Sequence, residues 1–221
     1  MSTPKLKVPE SASLSPFTAL AHSDDNACAR DRLFSAAINL FYRNGIRAVS
    51  VDAIAAEAGT TKVTFYRVFE SKDDLIVKVL EEQSKRFWEW WDGIAAEHPG
   101  EPRKQIETLI ERFQSEIIGD EACRGCAVAN AAVEIVDEDH PARAVIKKHK
   151  LEIAQRLRNL CREMGAKQPD VLGDALSLLY SGAFSARLSY DGREQIGAVS
   201  AAAAALLDSP ALGAPRKTSR T

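Results

Sequence analysis

Apolar residues along this chain recur at helical spacing. Leu33, Ala36, Ala37, Leu40 and Phe41 predict an amphipathic helix over 29–44, closed by Asn44-Gly45. Val51, Ile54, Ala55 and Ala58 fall at i, i+3, i+4 and i+7 and predict a two-turn helix over 51–58. Gly59 then supplies a residue that tolerates positive φ just past that helix end. Thr61 can cap a third helix over 62–69, with Phe65 and Phe69 on one face. Ser71-Lys72-Asp73-Asp74 is a capping-box-like start, with Asp for the usual Glu. The long helix it opens runs through Leu75, Val79, Leu80, Phe87, Trp91 and Ile94 to about 97, where His98-Pro99-Gly100 stops it.

Ile106, Leu109, Ile110, Phe113 and Ile117 mark a helix over 102–118, and a shorter one is expected over 124–136. Pro141 opens the next, which runs to Met164. Leu172, Ala175, Leu176, Leu179, Ala183 and Phe184 lie on a helix near 169–189, and an alanine-rich last helix follows from Gly192 to before Asp208-Ser209-Pro210. No window alternates apolar and polar residues as a half-buried strand would. The predicted fold is all-α, with about nine helices. Residues 1–25, rich in Pro, Ser, Lys and Asp, read as a flexible N-terminal arm, and 209–221 read as a disordered tail.

Composition narrows the function without choosing it. With 45% hydrophobic and 27% charged residues, the 221-residue chain is ordinary for a soluble globular protein. A formal net charge of −2 argues against a nonspecific polyanion binder, but not against a sequence reader with one local basic surface. There is no apolar run of membrane-spanning length and no secretory signal, so no membrane partner and a cytoplasmic location are expected. In that compartment the four cysteines (Cys28, Cys123, Cys126, Cys161) are expected as free thiols.

The informative stretch is 50–72. Two short helices joined by a tight Gly-containing turn form a helix-turn-helix, whose second helix enters the major groove of DNA. The polar face of that second helix carries Thr61, Lys62, Thr64 and Arg67, with Tyr66 alongside, side chains suited to phosphates and base edges.

The same residues carry a more specific likeness. The runs A-A-x-x-L-F, G-x-x-x-x-S-V-x-x-I-A-x-x-A-G and T-K-x-T-x-Y-x-x-F-x-S-K-x-x-L occupy fixed positions between Ala36 and Leu75. This pattern resembles the TetR/AcrR transcriptional regulators. The resemblance implies a helix-turn-helix DNA-binding domain over 26–71 and a helical ligand-binding and dimerisation domain over 72–208. It further implies a homodimer formed through the last two helices, bound to a pseudo-palindromic double-stranded DNA operator. Such a regulator usually represses and is released by a small-molecule effector. Val63 stands where the family most often has Gly, and Val68 where an aromatic is common. At the start of the reading helix, Val63 methyls could touch a thymine methyl, so the departure bears on operator sequence and not on binding mode.

Ser50, Thr61, Tyr66 and Lys72 are assigned mainly to the DNA backbone, because helix N-termini and hydroxyls favour phosphate oxygens. Thr60, Lys62, Val63, Thr64 and Arg67 are candidates for base edges or nearby phosphates. In the larger domain Trp88, Trp90 and Trp91 cannot all share one helix face, which leaves at least one free to line a pocket, meet a partner or stay at the surface. Residues 123–135, C-R-G-C-A-V-A-N-A-A-V-E-I, also look like a segment found in part of the family. Cys126, Asn130 and Glu134 share one face there and could orient a ligand or fix a contact between helices. Ligand candidates are Trp88, Trp91, Phe113, Cys126, Asn130, Glu134, Tyr180, Phe184 and Arg187, with Tyr190 in reach of the same space.

Cys123-x-x-Cys126 with His140 and His149 invites a zinc site, but the histidines are too far apart and no second C-x-x-C exists, so no metal and no cofactor are expected. A redox switch through the two thiols is an alternative. G-x-S-x-G, H-E-x-x-H and G-x-x-x-x-G-K-[ST] are all missing, and an enzyme is not expected. A rival of another class is a helical dimer whose N-terminal domain docks protein instead of DNA.

Overall fold

The computed structural model describes residues 28–119, 123–190 and 193–213. All regular elements among them are helices: α1 (Ala29–Asn44), α2 (Val51–Glu57), α3 (Lys62–Val68), α4 (Lys72–Glu97), α5 (Pro102–Gly119), α6 (Ala127–Glu134), α7 (Ala142–Glu163), α8 (Pro169–Tyr190), α9 (Arg193–Gly197) and α10 (Val199–Leu207). Each predicted helix is present, and the last divides in two at Ala198. The predicted 124–136 helix is shorter at both ends, because Cys126 is still extended and Ile135 has already left helical geometry. The N-terminal arm and residues 214–221 of the expected tail lie outside the described residues. Residues 209–213 are described: the Leu212 carbonyl accepts from Lys167 N at 3.1 Å and Gln168 N at 3.3 Å.

The first three helices close around one small core. Leu33, Ala37 and Ile38 of α1, Ile54 of α2, and Phe65 and Phe69 of α3 or its end are buried together. α4 ties this unit to the rest. Leu75, Ile76, Val79 and Leu80 are buried in its first half, and Phe87, Trp91 and Ile94 in its second. At 26 residues α4 is about 39 Å long at 1.5 Å per residue, so one rigid rod serves both packing regions.

In the larger region α7 and α8 pack most closely. Gly173 of α8 lies against the α7 backbone, where an added Cβ would be 2.7 Å from Arg158 N and Cα. The Arg158 guanidinium donates twice to Asp174, at 2.8 Å each, beside that approach. α10 rests on α5 and α8. No described helix is long and apolar enough to cross a membrane.

Candidate nucleic-acid interface

Backbone chemistry sets the helix-turn-helix before any side chain reaches outward. Ser50 is extended, and its Oγ accepts from Ala53 N at 3.1 Å, capping α2. α2 closes through Gly59 N to the Ala56 carbonyl and Thr60 N to the Ala55 carbonyl, with Gly59 at φ 58. That left-handed turn is the one expected of Gly59. Thr61 then caps α3, its Oγ1 accepting from Thr64 N at 3.2 Å while the two hydroxyls lie 3.1 Å apart. Such caps contribute about 1 kcal/mol each and fix the start of the helix that faces outward.

Phe65 and Phe69 turn inward, their centroids 5.6 Å apart. The opposite side of α3 is open. Val63 is 79% exposed and Tyr66 53%, with Lys62 and Arg67 exposed beside them and Thr60 and Thr64 half-buried. Lys62 Nζ lies 3.0 Å from Asp52 Oδ2, and this hydrogen bond raises the pKa of its ammonium. Asp52 was not singled out from the sequence, because only the docking of α2 on α3 brings it to Lys62. Arg67 makes no ion pair among the described residues. Lys72 turns back into the protein: Nζ donates to the Ile46 carbonyl at 2.7 Å and lies 6.0 Å from the Phe41 ring. Its burial lowers its pKa.

The second set of predicted residues divides. Phe113, Tyr180 and Phe184 are buried as one cluster, with centroids 4.2 Å apart for Phe113–Tyr180 and 4.7 Å for Phe113–Phe184. Cys123 and Cys126 are buried beside it, where a Cβ added at Gly125 between them would lie 3.0 Å from the Phe184 ring, and burial pushes the pKa of the Tyr180 hydroxyl far up. That hydroxyl has no hydrogen-bond partner among the described residues. Trp91 is buried, whereas Trp88 is half-buried under the Arg156 guanidinium at 4.3 Å. Trp90 is half-buried and donates to Glu116 Oε1 at 3.2 Å. Arg187 is half-buried. The Tyr190 side chain lies outside the described residues.

Asn130 and Glu134 serve the junction with α1. Asn130 Nδ2 donates to the Arg124 carbonyl at 2.7 Å. Glu134 Oε2 accepts from Arg47 N at 3.0 Å, in the connection between α1 and α2. Arg124 completes the contact: its N–H donates to Tyr42 Oη at 2.7 Å and its guanidinium to the Arg43 carbonyl. Tyr42, Arg43 and Arg47 were missed from the sequence, where nothing signals a partner some eighty residues away. All four cysteines are free thiols. Among the described residues no cluster of three or more His, Cys, Asp or Glu side chains is arranged to hold a metal ion.

Comparison with known proteins agrees with this arrangement. Residues 33–79 match the family described as bacterial regulatory proteins, tetR family. A TetR-family transcriptional regulator of Streptomyces coelicolor superposes with a TM-score of 0.75 at 28% identity, over 80% of this chain and 93% of that one. A tetR-transcriptional regulator of Streptomyces avermitilis superposes with a TM-score of 0.71 at 31% identity, over 82% of this chain and 97% of that one. An uncharacterized HTH-type transcriptional regulator of Lactococcus lactis subsp. lactis is 25% identical over 137 residues, 59% of this chain and 69% of the relative. With its helix-turn-helix, its all-helical fold and a relative similar over nearly its whole length, this chain belongs to the TetR family of transcriptional regulators.

Proposed function

We propose that the protein binds a pseudo-palindromic operator as a homodimer, with α3 of each protomer in the major groove, and represses until a small molecule releases it. The observation that carries this reading is the outward face of α3. Val63 and Tyr66 are exposed on a helix held at its start by the Thr61 cap, with Lys62 and Arg67 beside them. Apolar surface flanked by cations suits thymine methyls and phosphates together. Ser50, Thr61 and Tyr66 contact the backbone, as does Lys72 once it leaves Ile46, while Thr60, Lys62, Val63, Thr64 and Arg67 meet base edges or nearby phosphates.

Residues 26–71 form the DNA-binding domain in this reading, and 72–208 the ligand-binding and dimerisation domain. The dimer uses an exposed stripe of α8, Val171, Leu178, Gly182 and Ser185, with Ala201 and Ala205 of α10. The effector site is placed at the aromatic cluster of Phe113, Tyr180 and Phe184, where the buried Tyr180 hydroxyl offers an unused hydrogen bond. The protein acts in the cytoplasm, where its DNA is.

The test is selection from a library of duplex DNA by the purified protein, followed by anisotropy at rising salt. An enriched inverted repeat with a steep salt slope is expected. A folded dimer that enriches no sequence would point to protein docking by the same domain.

A further inference from the structure

We propose that Glu134 of α6 is a positioning residue that divides Lys72 between the α1–α2 connection and a DNA phosphate. This rests on the DNA-binding reading above. Glu134 and Lys72 line one cleft with Ile46, Arg47, Asp73 and His140. Both grip the same short segment from opposite polarities. Glu134 Oε2 takes the Arg47 N–H at 3.0 Å, and Lys72 Nζ gives to the Ile46 carbonyl at 2.7 Å. A Cβ at residue 45 would lie 2.9 Å from the same Glu134 oxygen, so the glycine there lets the carboxylate come close. Burial would remove the Lys72 proton, and the charges of Asp73 and, to a smaller extent, Glu134 act in the direction that holds it.

The consequences for DNA binding run in opposite directions and can be separated. The hydrogen bond to Arg47 steadies the segment that leads to the Ser50 cap, which favours binding. The carboxylate charge favours the inward position of Lys72, at the start of α4, and keeps that cation from a phosphate. An ammonium has three donors, and among the described residues Ile46 takes one of them, which leaves two for a phosphate. A displacement of α6 therefore alters a DNA-facing charge directly, in addition to anything it does to helix position.

Glu134→Gln retains an oxygen for the Arg47 N–H and removes the charge. Its affinity for operator and non-operator duplex is expected to rise about two- to fivefold, the range of a single exposed ion pair. Its salt slope should steepen by a fraction of the roughly 0.9 that one full phosphate contact gives, because Lys72 of the wild type already spends part of its time there. In a Lys72→Met background the same change should give no gain. Glu134→Ala removes the acceptor as well. Its Arg47 amide should exchange faster with solvent than in the Gln variant, and its affinity should fall below that of the Gln variant. Thermal melts of each variant check that the fold is kept. Unchanged affinity and slope in Glu134→Gln, or an equal gain without Lys72, overturns the proposal while leaving the DNA-binding reading intact. A wild-type protein that binds no duplex overturns both.

Discussion

Val63 and Tyr66 are large side chains that stand mostly outside the small N-terminal core, Tyr66 touching it only edge-on at Phe65, and the two cations of α3 flank them. Lys62 must leave Asp52, or share itself with it, to reach a phosphate. Lys62→Ala is therefore expected to weaken binding to all sequences alike and to lower the salt slope by about 0.9, one phosphate. Thr64→Ala should cost about 1–3 kcal/mol at preferred bases and little elsewhere. Anisotropy on the selected operator and on scrambled duplexes, at several salt concentrations, separates the two. Equal behaviour of both variants would refute this division of roles. A different single-residue effect belongs to His149, which is 1% exposed, packs on Phe87 and Trp88, and among the described residues uses only Nδ1, toward Ser84. Burial, and to a smaller extent Lys150, lowers its pKa to about 4 from 6.5. The native state therefore holds the imidazole neutral while the unfolded chain takes up a proton below about 6.5. Its share of stability is present above that pH and is lost as pH falls through the window down to about 4. At about 1.4 kcal/mol per pH unit the loss is on the order of 3 kcal/mol. Urea midpoints between pH 7 and 4 should fall less steeply in His149→Gln than in the wild type.

The helices themselves were legible because each buries one face, and a 3.6-residue period shows in the sequence without knowledge of what covers it. The caps at Thr61 and Ser71 were legible from residue type and position: each hydroxyl accepts from an N–H three residues ahead, as Ser50 does at the start of α2. Partners between elements were not. Cys126, Asn130 and Glu134 share a face of α6, as their spacing requires, but periodicity cannot say whether that face meets a ligand or another helix. Packing turns Glu134 to Arg47 and leaves Cys126 near Tyr180. Gly173 shows the same limit, since a glycine within a helical pattern indicates only a missing side chain. Its purpose is visible once α7 lies against it. A methyl at 173 meets main-chain atoms of Arg158 at 2.7 Å, so α7 and α8 must separate and not merely rotate a side chain. Gly173→Ala should gain slightly in helix propensity yet lose about 1–3 kcal/mol to overpacking. A fall in Tm of about 2–4 °C for each kcal/mol is expected by calorimetry. A Tm equal to or above that of the wild type would show that the two helices can yield at no cost.

At the scale of the whole molecule, a net charge of −2 and a reading helix of seven residues make a single protomer a poor DNA ligand. Specific affinity in this reading comes from two protomers reading two half-sites, which makes the dimer face part of the DNA-binding device. The α8 stripe has the properties such a face needs. Leu178 is 73% exposed and Val171 52%, one helical face apart by seven residues, and Gly182 and Ser185 continue it with small side chains that permit close approach. Ala201 and Ala205 extend the small-residue surface on α10. A cation at the centre of that stripe would be duplicated across a two-fold axis, so Leu178→Arg adds like-charge repulsion to lost apolar area. The variant should sediment as one chain where the wild type sediments as two. Because Leu178 lies in the larger domain and α3 is untouched, contacts to a single half-site should survive. Affinity for the full inverted repeat should then fall by about a hundredfold or more, the size of effect that linking two sites provides. Sedimentation equilibrium and anisotropy on full and half operators read both quantities from one preparation. A Leu178→Arg protein that remains dimeric and keeps full-site affinity would move the interface off α8. A monomer that keeps full-site affinity would instead remove dimerisation from the binding mechanism.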